Sequence, residues 1–464
     1  MKRLLPLMIA LLVLVTATAA SAKKTEVGIT DDRILLAGGP KADAAVAEWK
    51  KLGVDNVRIF AQWAKIAPRT KPAGFNGADP ATPGYNWFYV DNAVARVRNA
   101  GMTVTLTVTG PGPVWTSSAP KKREGAYKPR PGMYRSFATA VATRYGAQVN
   151  RYILWNEPNI STWLAPQARC KRGRCTPVAP NLYRSLVRAA YPAVKQADPG
   201  SQVIIGALSP RGQRLRSANT VMRPLLFLRR LGCRTDRFLR IRSGACKRFK
   251  RITGDGMAIH PYSGRLPPQR AHPNSDDVAL ASVPRLTRTL DRLQGVAALK
   301  PTTRRFGIYI DEYAYQTNPP DKAGGVAPFK QDRWLQEAAY IAWRNPRVRL
   351  FSQYLWRDEP RGRRNYSGWQ SGLRTSRGRA KIALRHFDTP FELDARRNRL
   401  WGQVRPGGRH TVTVQHRPHK SGGWRKLATV RTDSRGYWSI VRKLRSGTAY
   451  RFRTGSIVSA TLRR

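Results

Sequence analysis

The sequence predicts a (β/α)8 TIM barrel followed by a small antiparallel β-sandwich. Three observations carry that prediction. From about Arg33 to Pro390, short apolar runs alternate with amphipathic helical stretches, the pattern of a parallel sheet with crossover helices. The glycine-rich phosphate loop that an open doubly wound sheet usually carries is missing from the chain. Past Pro390 the period shortens to alternating strands separated by Gly-Gly and Asp-Ser-Arg-Gly turns.

Strand one is expected around Ile34-Leu35-Leu36, with a helix following through Trp49 to Leu52. Strand two runs from Val54 to Phe60 and its helix from Phe88 to Asn99. Strand three is Thr103 to Val108, with a helix near Tyr134 to Tyr145. Strand four leads into Trp155-Asn156-Glu157-Pro158. There Pro158, which lacks an N–H and restricts the residue before it, stops the ladder. Its helix spans about Leu182 to Gln196. Strand five is Val203 to Ala207, and strand six is Gly256 to His260, with a helix around Val278 to Leu293. Strand seven, Phe306 to Asp311, precedes a helix from about Asp332 to Trp343. Strand eight, Arg349 to Leu355, precedes a last helix near Ala380 to Phe387. A barrel's chemistry sits at the carboxyl ends of its strands. The segments after strands three, four, seven and eight, long and rich in Trp, Pro and Gly, are expected to wall a cleft there.

The expected domains are a leader at 1–22, the barrel at 23–392 and the sandwich at 393–464. The leader reads as a secretory signal: Lys2 and Arg3, an apolar stretch from Leu4 to Val15, then Ala20-Ser21-Ala22. That stretch is short for a membrane span of about 20 residues, so secretion without a membrane anchor is expected. Four cysteines suit an oxidising compartment. Proximity pairs Cys170 with Cys175 and Cys233 with Cys246; zinc spacing is lacking. In the sandwich, Trp401, Trp424 and Trp438 are candidates for sugar contact, although such residues are more often core.

The formal net charge is +57, from 84 Lys and Arg against 27 Asp and Glu. Such a surplus suits an anionic partner, an acidic polysaccharide or wall polymer, and equally a solvated surface biased toward Arg, because the charge is scattered. No nucleic-acid recognition motif accompanies it.

Two strands end in acids. Glu157 closes an apolar run, and Phe306-Gly307-Ile308-Tyr309-Ile310-Asp311-Glu312-Tyr313 closes another. A carboxylate at the end of a buried strand is costly unless it faces a cleft. Pleating sends Asp311 and Glu312 to opposite faces, so one of the two enters the cleft directly. The same rule separates Asn156 from Glu157 unless the strand bends. Arg58 interrupts strand two, and a cation inside a barrel needs a carboxylate partner.

These segments resemble the retaining glycoside hydrolases of clan A, the barrel group that includes families 5 and 39. The resemblance rests on Arg58 at strand two, Trp155-Asn156-Glu157-Pro158 at strand four and His260-Pro261-Tyr262 at strand six. Asp311-Glu312 at strand seven and Trp356 at strand eight complete it. It implies that Glu157 is the proton donor and Glu312 the nucleophile, with Asp311 as the fallback. It also implies that Arg58 keeps the nucleophile ionised, Tyr262 hydrogen-bonds it and His260 orients its neighbours. Asn156 would hold the sugar 2-hydroxyl, and Trp356 would form an aromatic floor. Trp115, Trp63 and Trp163 are further candidate platforms, for which core packing is the equal alternative. No metal or cofactor is implied. The expected activity is double-displacement hydrolysis of β-linked glycans, acidic ones being suited to the charge. The alternatives are a catalytically weak barrel that binds anionic wall polysaccharide, and a transglycosylase.

Overall fold

The computed structural model describes residues 25–122, 125–360, 368–418 and 422–464, so the expected leader lies outside the described residues. Eight strands form the barrel: β1 (Glu26–Thr30), β2 (Asn56–Gln62), β3 (Thr103–Thr109), β4 (Arg151–Leu154), β5 (Gln202–Leu208), β6 (Gly256–Ile259), β7 (Gly307–Tyr313) and β8 (Val348–Tyr354). Each pairs in parallel with its sequence neighbours, and β8 pairs with β1 to close the ring. Strand β3, Thr-Val-Thr-Leu-Thr-Val-Thr, shows why: β-branched residues occupy six of its seven positions and all but the first residue are buried, as a strand covered on both faces requires.

Inside the ring, Ile153, Ile204, Ala207, Ala258, Tyr309 and Leu350 form a separate cluster. The amino-terminal end of the barrel is plugged by Arg151, which pairs with Glu26 at 2.7 Å and lies 5.3 Å from the Tyr309 ring centroid. With that end filled, the open end is the carboxyl one. Outside, helices α1 (Asp32–Ala37), α2 (Gly39–Lys51), α3 (Trp63–Ile66), α4 (Phe88–Asn99), α5 (Pro131–Tyr145), α6 (Ala179–Ala197), α7 (Pro224–Leu231), α8 (Val283–Gly295) and α9 (Pro328–Arg344) cover the strands.

The main departure is at the first strand. Ile34-Leu35-Leu36 lies in α1, and the strand is the earlier Glu26–Thr30. Asp31 caps the helix by accepting the Ile34 N–H at 3.2 Å, and its other oxygen accepts the N–H groups of Trp356 and Arg357 at 3.1 Å. An Asp that can bond the backbone three residues on starts a helix, not a strand. Helix α7 has no counterpart in the expected series. The expected last helix is a 3₁₀ turn, Ile382–His386.

Both disulfides form as paired by proximity. Cys170–Cys175 staples the hairpin formed by Ala168–Lys171 and Arg174–Pro177. The carboxyl-terminal strands are β9 (Phe391–Asp394), β10 (Arg399–Gln403), β11 (Thr411–Arg417), β12 (Arg425–Arg431), β13 (Tyr437–Val441), β14 (Ala449–Thr454), β15 (Ile457–Val458) and β16 (Leu462–Arg463). They build two antiparallel sheets, β9-β10-β13 and β12-β11-β14-β15 with β16 on β14. Phe391, Val412, Val414, Trp438 and Phe452 pack in the core associated with these sheets. Trp401 is buried with Tyr340 and Tyr437 against α9, which fixes the sandwich to the barrel. Trp424 lies half-buried beneath the guanidinium groups of Arg417 and Arg451.

Candidate active site

At the carboxyl end of the barrel, a cleft of about 1240 Å³ holds both Glu157 and Glu312 in its lining. Strand β4 stops at Leu154, and the backbone then twists: Trp155 has φ +73° and Glu157 has φ +37°. Left-handed conformations cost about 1–3 kcal/mol each in residues other than Gly, and three backbone hydrogen bonds hold them. Trp155 N–H donates to Val108 O at 2.9 Å, Asn156 N–H to Thr109 Oγ1 at 3.0 Å, and Glu157 N–H to Ala207 O at 2.9 Å. The twist brings Asn156 and Glu157 to the same cleft, which strict pleating forbids. The Trp155 ring anchors it from below, packed so closely that a Cβ on Gly110 would lie 2.3 Å from the indole.

Strand β7 solves the equivalent problem with a register shift against β8 between Ile310 and Tyr313, a bulge that re-aims side chains. Glu312 reaches the cleft, where its Oε1 pairs with Arg58 Nη2 and its Oε2 accepts the Tyr262 hydroxyl at 2.9 Å. Asp311 is fully buried beneath it, 3.8 Å from Arg58 Nε and 3.3 Å from His260 Nε2. Arg58 is itself fully buried, stacked at 4.3 Å over Phe60, and its Nε donates to Thr30 Oγ1 at 3.4 Å.

His260 is the hub. Its Nδ1 lies 3.0 Å from Glu157 Oε1 and 3.5 Å from Glu312 Oε2, and its Nε2 faces Asp311. Burial disfavours the imidazolium, but the Glu312 and Asp311 charges outweigh it and hold His260 well above its usual value. Burial likewise pushes the Glu312 carboxyl up, against the pull of His260 and Arg58. Glu157 is the more open acid, with 18% of its side chain exposed against 9% for Glu312. One acid clamped between cations and a second, wetter one beside it can divide nucleophilic and proton-transfer roles.

The expected aromatic contacts are placed differently. Trp356 is 4% exposed and packs edge-on against Trp49 of α2 at 6.4 Å, outside the cleft lining. Trp115 donates its indole N–H to Pro68 O at 3.0 Å and packs against Phe75, and Trp63 stacks on Phe137 in the core. Trp163 does line the cleft, beside Phe60. The exposed ring at the strand-eight side is Trp369, 42% exposed, stacked on Tyr262 at 5.7 Å and edge-on to Tyr354 at 5.7 Å. Sequence reasoning missed Trp369 because it stands 15 residues beyond the end of β8. The walls also differ from expectation. Residues 209–221 after β5 and 262–277 after β6 supply much of the lining, while the segment after β3 supplies none.

No protein-family model matches the chain, and no curated protein does. Solved structures of similar fold include a family 39 glycoside hydrolase from Bacteroides cellulosilyticus, at 14% identity over 90% of this chain and 79% of that one, TM-score 0.53. GH5_18 from Streptomyces cattleya, in complex with GlcNAc, is similar at 14% identity over 79% of this chain and 81% of that one, TM-score 0.51. A glucosidase from Croceicoccus marinus is similar at 11% identity over 93% and 95%, TM-score 0.50. At these identities the likeness is one of fold.

Proposed function

We propose that the protein is an exported retaining glycoside hydrolase that cleaves β-glycosidic bonds by double displacement. Glu312 attacks the anomeric carbon and Glu157 protonates the leaving oxygen; Glu157 then activates water to release the sugar from Glu312. The observation that carries this reading is the shared imidazole. Two carboxylate oxygens at 3.0 Å and 3.5 Å from one nitrogen cannot be further apart than the sum of those distances. The two groups are therefore near enough for the about 5–5.5 Å separation of retaining pairs.

The surroundings support the same division. Arg58 and the Tyr262 hydroxyl donate to Glu312 and favour its anion, against the burial that pushes the carboxyl up. Asn156 lines the cleft beside Glu157, within reach of a sugar hydroxyl. Trp369 and Trp163 offer ring faces for pyranose C–H groups. Export is supported by the leader in the sequence and the two disulfides. Among the described residues no helix is long and apolar enough to cross a membrane.

The test is a turnover screen on aryl β-glycosides of several sugars, with the first-formed product anomer read by proton NMR. Release of the β-anomer is expected. Release of the α-anomer first, or no turnover of any glycoside by folded protein, refutes the reading.

A further inference from the structure

One wall of the cleft carries an unusual charge pattern. It is built from the segment after β5, residues 209–223, and the segment after β6, residues 260–279. The first holds Arg211, Arg214, Arg216 and Arg223 and no acid; the second holds Arg265 and Arg270 with Asp276 and Asp277. Both acids are committed. Asp276 takes two hydrogen bonds from the Arg229 guanidinium, at 2.9 Å and 2.7 Å. Asp277 accepts the Gly212 N–H at 3.2 Å and lies 3.9 Å from Arg223.

Arg211 and Arg265 are left over. Both are exposed, and both line the cleft alongside Glu157 and Glu312. Neither side chain makes a hydrogen bond or salt bridge with any described residue, although the Arg211 charge reaches Asp277 and His272. Elsewhere in this arginine-rich chain, guanidinium groups are paired with acids: Arg58 on Glu312, Arg229 on Asp276 and Arg374 on Glu48. Two guanidinium forks with no hydrogen bond of their own in the cleft have a natural complement. A carboxylate or a tetrahedral oxyanion takes two parallel N–H bonds from such a fork, which no sugar hydroxyl can match.

We propose that Arg211 and Arg265 form a subsite for an anionic sugar unit, so that the substrate is an acidic glycan carrying uronic-acid carboxylates or sulfate esters. The inference rests on the glycosidase reading and names the substrate class of that site. Gln213 and Asn274, which line the same wall, are placed to bond the hydroxyls of the same unit. The neighbouring Arg214, Arg216 and Arg270 extend the positive potential outward and steer an anionic chain into the cleft.

The test uses the full chain carrying Glu157→Gln, which keeps the cleft and slows cleavage of glycosides with poor leaving groups by about 10²–10⁴-fold. Binding is measured by calorimetry with matched β-linked trisaccharides in gluco, galacto and manno series, each as the neutral sugar, the uronic acid and the sulfate ester. In at least one series an anionic form is expected to bind ten or more times tighter than the neutral one. Adding Arg211→Gln and Arg265→Gln should reduce that ratio to threefold or less; the exposed side chains can be replaced without loss of fold. The uronate and sulfate arms identify the anion. Equal affinity for neutral and anionic forms overturns the proposal. A preference that survives the double substitution also overturns it, because the overall charge would then be its source. Wild-type turnover separates the two levels. Anion binding through the Arg pair without bond cleavage sinks the glycosidase reading alone, whereas cleavage of neutral glycosides with no anion preference sinks this inference alone.

Discussion

Glu157 and Glu312, 155 residues apart in the chain, flank a single imidazole: His260 Nδ1 stands 3.0 Å from one and 3.5 Å from the other. Everything proposed for the chemistry follows from that juxtaposition and from the unequal surroundings of the two acids.

Replacing Glu157 by Gln removes the transferable proton and keeps the shape. General acid catalysis contributes about 10²–10⁴-fold, so kcat should fall by that much on glycosides with poor leaving groups. It should fall far less where the leaving group is acidic, and added azide should restore the second step. An equal loss on both substrate types would argue against a proton-donor role.

Arg58→Met leaves Glu312 and Asp311 with His260 as the remaining buried partner of opposite sign. Breaking a buried pair costs about 3–5 kcal/mol, to be read as a lower guanidinium midpoint. The direction on pH is fixed by the same charge. Without the guanidinium the Glu312 carboxyl holds its proton to higher pH, so the acid limb of kcat/KM should move upward. A limb that stays in place would mean that Glu312 is not the group titrating.

His260 is held above its ordinary value of 6.5 by the Glu312 and Asp311 charges, against burial. A group raised on folding contributes stability that is full below its unfolded value and lost as pH rises through the folded one. His260→Gln should therefore cost most stability near or below about pH 6.5, with the deficit shrinking on the alkaline side. Urea denaturation of both proteins across pH measures this; a deficit that grows with pH contradicts it.

Two tryptophans should respond in opposite ways. Trp369→Ala removes a ring stacked on Tyr262 at the cleft mouth and should raise KM by about three- to tenfold, the worth of one aromatic contact. Trp356→Ala, in the core against Trp49, should leave KM unchanged and cost about 3–5 kcal/mol of stability. Steady-state kinetics and thermal unfolding on the pair distinguish the two.

The contrast between those residues shows what was legible in the sequence. The barrel was readable because periodic apolar runs such as Thr103–Thr109 announce buried parallel strands. The acids were readable because each ends such a run. Strand one was not, since Asp31 turns an apolar Ile-Leu-Leu run into a capped helix by accepting the Ile34 N–H, a local bond that no periodicity count registers. Trp356 follows its strand directly but lies in the core against Trp49, whereas Trp369 reaches the cleft from a loop. Loop residues reach a site by tertiary packing, and sequence spacing carries little of that information. The arginine wall was hidden for a further reason: in a chain with 84 basic residues, unpaired guanidinium groups become visible only once their neighbours' partners are known.

The most direct test is to trap the glycosyl-enzyme with a 2-deoxy-2-fluoro β-glycoside carrying an activated leaving group, and to locate the added mass by peptide sequencing. The account predicts a single sugar ester on Glu312. A label on Asp311 or Glu157, or steady turnover with no label at all, would contradict it.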